Sequence, residues 1–120
     1  MRDAYTAADF TTTSALAYVE AVSALTRSRN TRRIPVTRFR AGLDELEKLW
    51  AAIEVHAVTS EVIRDATRAV TDHGLRAYDG VHLASALALV HVERVTFACW
   101  GRELRTAARA SGLTLLPDRL

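Results

Sequence analysis

Two carboxylates stand where the surrounding residues call for apolar side chains. In LRAYDGVHLASALAL (75–89), Asp79 is followed at helical spacing by Leu83, Ala86 and Val90, so it heads the stripe that a helix buries. In the segment SALAYVEAVSALTRSR, Glu20 is flanked at the same spacing by Leu16, Ala17 and Ala24. An ionised carboxylate removed from water without compensation costs several kcal/mol or more. Each acid must therefore sit at the rim of a core, pair with a cation, or hold a metal. Spacing alone does not bring the two acids together, and separate ion pairs to arginine are the plainer account of both. If they meet, oxygen donors without a Cys or His cluster favour Mg²⁺ or Mn²⁺ over zinc.

The elements that position these acids follow from local signals. DFTTT has β-branched character, and Thr13 or Ser14 is the expected N-cap of the helix carrying Glu20. Asn30 to Pro35 breaks the chain, and a second helix is expected from about Thr37 through LDELEKLWAAI. A short strand EVHAV precedes a helix capped by Thr59 or Ser60 and stopped by Gly74. The Asp79 helix opens near Ala77. RVTFACW reads as a fully buried strand, RELRTAARASG as a helix closed by Gly112, and LTLLP as a last strand. Alternation of this kind predicts an α/β fold with a parallel sheet, in which ligands bind at the carboxyl ends of strands and the N-termini of helices.

Composition bounds the function. The 120 residues suit one domain, and 49% hydrophobic with 25% charged residues is globular rather than disordered. The single Cys99, inside VTFACW, excludes a disulfide within the chain and points to a reducing cytoplasm, with a core thiol as its ordinary role. No apolar run is long enough to span a membrane, and MRDAYTAADF lacks a signal-peptide core. Charge is unevenly spread: RSRNTRRIPVTRFR (27–40) holds six arginines, and no acid occurs from Ala21 to Leu43. Such a patch suits phosphates, although a solvated connection in a chain with fifteen Arg and one Lys is the plainer reading. His82 reads as a packed histidine one turn from Asp79, and His56, His73 and His91 lack ligand spacing. Trp50, Trp100, Tyr18 and Tyr78 read as core or interface residues.

LRAYDGVHLASALAL, followed by VTFACW and RELRTAARASGL, resembles the C-terminal half of PIN-domain ribonucleases, specifically the VapC-type toxins of toxin–antitoxin pairs. TSALAYVEAVSALTRSR resembles the second acidic motif of that family, and the resemblance runs from about Phe10 to Pro117. It implies a single PIN-like domain over residues 1–120, a three-layer α/β fold with a parallel sheet flanked by helices. It further implies a metal-dependent endoribonuclease in which Glu20 and Asp79 match the second and third acids and hold Mg²⁺ or Mn²⁺. A cognate VapB-type antitoxin, an RNA substrate and a homodimer are implied as partners.

The sequence departs from the family's pattern twice. Thr12 stands in TTTSAL where the first acid is expected, and Gly101 in ACWGREL where the fourth is expected. The family's first strand has no counterpart, so the expectation is that Met1 is not the natural start or that this strand is lost. Glu103 is set aside here, because a helix turns about 200° over two residues. The alternative function is a catalytically impaired PIN-like module that binds antitoxin or RNA without cleavage.

Overall fold

The structure is a computed structural model describing residues 8–120, so the polar opening read in Met1 to Ala7 lies outside the described residues. Its contacts divide into two compact units, Asp9–Ala57 and Val58–Leu120. As expected, the architecture is mixed α/β with parallel strand pairing.

The first unit runs β1 (Thr12–Ser14), α1 (Leu16–Asn30), α2 (Val36–Ala52) and β2 (Glu54–His56). The two strands pair in parallel with Thr13 opposite Val55, and the helical pair forms the crossover between them. Parallel strands require a long connection, here supplied by both helices. Three contacts fix those helices antiparallel. The Tyr18 and Trp50 rings meet edge to face at 5.0 Å. At Gly42 an added Cβ would lie 3.0 Å from Leu25 Cδ2, so the helices approach closely there. The Arg29 guanidinium lies 4.3 Å from the centre of the Phe39 ring.

Neither Thr13 nor Ser14 is the N-cap of α1; Ala15 is, with no side-chain cap bond. Ser14, buried, still accepts a hydrogen bond from the Leu16 amide at 3.2 Å, while the Ala15 amide donates to the His56 carbonyl at 2.9 Å. The β1–β2 ladder thus continues to the cap residue, and Ser14 serves the first amide of the helix.

The turn between the helices is a Schellman motif. The Arg32 amide donates to the Arg29 carbonyl at 3.0 Å and the Arg33 amide to the Ser28 carbonyl at 2.8 Å. Arg32 occupies the left-handed position with φ 58°, where glycine is the usual residue. Pro35, extended at φ −73° and ψ 163°, then starts α2, its carbonyl accepting from the Phe39 amide at 3.0 Å.

The second unit runs α3 (Ser60–His73), α4 (Ala77–Leu89), β3 (Thr96–Ala98), α5 (Arg102–Ala110) and β4 (Thr114–Leu116). Thr59 caps α3 by accepting from the Val62 amide, and Gly74 at φ 65° ends it, both as the sequence indicates. Gly112 at φ 85° turns the chain from α5 into β4, which pairs in parallel with β3, Phe97 opposite Leu115. Leu83, Ala86, Leu104, Ala107, Ala108, Leu113 and Leu115 form one apolar core with Cys99.

The strand β3 is not fully buried, contrary to the reading of RVTFACW. Thr96 and Ala98 are exposed and only Phe97 turns inward, because a two-stranded pair here is covered on one face and side chains alternate along it. Arg105 is a buried charge. Although α5 is polar in sequence, Arg105 is 5% exposed, and its guanidinium donates to the carbonyls of Cys99 (2.7 Å), Pro117 (2.6 Å) and Asp118 (3.1 Å).

The helices α3 and α4 meet at Gly80. A Cβ there would lie 2.6 Å from Val70 Cγ2 and 3.0 Å from the Ala66 carbonyl oxygen, which is backbone and cannot rotate away. Gly80→Ala is therefore expected to destabilise the chain by about 1–3 kcal/mol, the usual range for overpacking. Urea unfolding with a lowered midpoint and an unchanged slope checks this, and an unchanged midpoint would show that the helices separate without cost.

Candidate active site

The helix α4 begins because Arg76, extended at φ −68° and ψ 154°, serves as N-cap without a side-chain cap bond. Asp79 falls in the first turn, three residues past the cap. A carboxylate at that position interacts favourably with the positive end of the helix dipole. Asp79 is half-buried, whereas the next residues on its stripe, Leu83 and Ala86, are buried and Val90 is exposed. The acid thus stands at the rim of the core, one of the three placements its sequence allows.

A second carboxylate shares this region. The extended Gly101, at φ −64° and ψ 126°, is the N-cap of α5, and Glu103 occupies that helix's first turn. The Arg76 guanidinium is held above its ordinary range chiefly by its hydrogen bond to the Tyr78 hydroxyl (3.0 Å), with Glu103 and Asp79 adding attraction and desolvation opposing. Asp79 is half-buried and Glu103 exposed. Gly101 precedes the helix as its extended cap, so Glu103 follows it at the second helical position.

Burial pushes the Cys99 thiol up; nearby Asp79 adds to the shift and Arg105 opposes it. Because the neutral form is favoured on folding, this contribution to stability is complete below the unfolded thiol's range and lost as pH rises through the folded value. Cys99, 6% exposed, is expected to alkylate slowly at pH 8 in the native chain and fast in urea. Equal rates in both conditions would contradict its burial.

Glu20 sits on α1 in the other unit, half-buried; its neighbours Leu16 and Ala17 are half-buried and Ala24 is exposed. Its stripe is less enclosed than its spacing suggests, since α1 contains no buried residue. His82 is half-buried on α4. Among the described residues, no group of three or more His, Cys, Asp or Glu side chains is gathered as a metal cage. Mg²⁺ needs no such cage, being commonly held by one or two carboxylates with substrate phosphates and water. Hard carboxylate oxygens suit it, so the Asp79 carboxylate at this rim fits the ion.

No family model matches the chain. Comparison with curated proteins is decisive: over 112 residues the chain is 34% identical to "Ribonuclease VapC45" of Mycobacterium tuberculosis (strain CDC 1551 / Oshkosh). The same identity holds for "Ribonuclease VapC49" of Mycobacterium tuberculosis (strain ATCC 25618 / H37Rv). Each match covers 93% of this chain and 77% of the relative. The chain belongs to the VapC ribonuclease family. The similarity to VapC proteins is not confined to the Asp79 motif, because a match of this extent takes in both units. No helix among the described residues is long and apolar enough to cross a membrane.

Proposed function

We propose that this VapC-family chain is a metal-dependent endoribonuclease, the toxin of a toxin–antitoxin pair, that cleaves RNA phosphodiesters and is neutralised by a cognate VapB-type antitoxin. The observation that carries this reading is the 34% identity over 93% of the chain to two proteins named as VapC ribonucleases. The family resemblance assigns Glu20 and Asp79 to holding Mg²⁺ or Mn²⁺. When bound, such an ion lowers the pKa of a coordinated water and offsets charge developing on the phosphate.

The chain's own groups do the positioning. Asp79 is carried on a helix whose next turn is locked into the core through Gly80, Val81 and Leu83, so its carboxylate has little freedom to drift. Arg76, exposed beside it, presents a guanidinium whose planar fork matches a phosphate, and the same geometry lets a basic side chain of the antitoxin answer Asp79.

A labelled RNA incubated with the purified chain in Mg²⁺, in Mn²⁺ and in EDTA tests the reaction. Cleavage confined to the divalent-ion samples is expected, and no cleavage in any of them would oppose it. Co-expression with the neighbouring gene product tests the partner: a complex weakened by Asp79→Ala is expected, whereas an unaffected complex places the antitoxin elsewhere.

A further inference from the structure

The helical hairpin of the first unit ends in a concentration of positive charge that the acidic site does not use. Arg27, Arg29, Arg32, Arg33, Arg38 and Arg40 lie within fourteen residues around the turn, and no acid occurs from Ala21 to Leu43. Two of the six have evident local roles. Arg27 and Arg29 occupy the last turn of α1, where cations complement the helix dipole. Arg29 also lies over Phe39 and donates to Asn30 Oδ1 at 3.1 Å. Arg32, Arg33, Arg38 and Arg40 are exposed. The ion pairs Lys48–Glu45 and Arg68–Asp65 lie away from this turn.

Arg32 supplies an independent observation. It holds the left-handed C′ position of the Schellman motif at φ 58°, which glycine adopts without strain and a side chain with a Cβ does not. Arginine there adds steric strain and like-charge repulsion with Arg33. Neither serves the turn, whose hydrogen bonds are made by backbone amides and by the Thr31 hydroxyl, which donates to the Arg27 carbonyl at 2.8 Å. Strain kept at an exposed, highly charged position points to a ligand that uses the side chain.

We propose that this turn, with Arg32 and Arg33 at its tip, is an RNA-backbone binding surface separate from the acids. The proposal rests on the reading that the substrate is RNA. A polyanion is the partner this surface fits, because clustered guanidinium forks match successive phosphates and association relieves their mutual repulsion.

The test is fluorescence anisotropy of a labelled single-stranded RNA with the full chain in EDTA, where cleavage is silent, across a salt series. Each arginine that meets a phosphate contributes about 0.7 to the slope of log affinity against log salt, or roughly fivefold in affinity at 0.1 M salt. Arg32→Gly and Arg33→Ala should each remove about that much, and Arg32→Gly should at the same time raise the melting temperature by relieving the backbone. Arg64→Ala, an exposed change on α3, should leave the slope unaltered. Unchanged slopes in both hairpin variants of a chain that still cleaves RNA would overturn the surface and leave the nuclease reading standing. Hairpin-dependent binding by a chain that never cleaves would uphold the surface and count against the nuclease reading. Loss of antitoxin binding with RNA slopes intact would assign the turn to an acidic peptide and overturn the proposal.

Discussion

Asp79→Asn should lower single-turnover RNA cleavage about 10²- to 10⁴-fold, the usual consequence of removing a positioned acid or base. The substitution keeps shape and removes charge, and the carboxylate's lost attraction to the start of α4 accounts for about 0.3–1 kcal/mol of its effect on folding. A large loss of rate with a nearly unchanged melting curve therefore separates chemistry from stability. Glu103→Gln, an exposed change in the first turn of α5, should reduce the rate by less. Gly101→Asp should raise it. An added Cβ at Gly101 comes no closer than 3.9 Å to Leu104 Cβ, so there is room for a side chain. The residue is already an extended N-cap, where Asp is among the preferred residues. Cleavage by Asp79→Asn at the parent rate would remove Asp79 from the reaction.

Arg105→Met should be among the most destabilising single changes in the second unit, by about 2–4 kcal/mol. The estimate follows from the bonds removed: hydrogen bonds from a charged donor contribute about 1.5–3 kcal/mol each, and a buried acceptor left unpaired costs about 1–3 kcal/mol. The Cys99 carbonyl is the acceptor least able to recruit water, being bonded at 2.7 Å in a buried setting. The Pro117 and Asp118 carbonyls are partly exposed and recover some hydration, which keeps the expected total below the sum. Met preserves much of the aliphatic packing, so the loss reports chiefly on the guanidinium. Arg105→Lys should recover only part of it, because an ammonium lacks the fork that reaches three carbonyls on two segments. Urea midpoints measured at constant slope decide the matter, and a midpoint for Arg105→Met within error of the parent would show that the bridge is not stabilising.

What the sequence by itself determined is local. The Thr59 cap, the Gly74 and Gly112 turns and the start of α4 at Ala77 were all readable, because each depends on the backbone preferences of a few adjacent residues. Asp79 at the rim was readable for the same reason: helical periodicity places Leu83 and Ala86 beneath it. The family was legible in the run AYDGVHLASAL and its following strand and helix. Tertiary structure decided the rest. Arg105 looks like a surface residue of a polar helix, and only carbonyls up to thirteen residues away make its burial tolerable. The one-sided burial of β3 depends on which faces of a strand pair find a covering helix, and the left-handed Arg32 on a turn that any sequence ranking would assign to glycine. Caps and periodicity are written in neighbouring residues, but the partner of a charge and the covering of a face come from segments distant in the chain, and only folding brings those together.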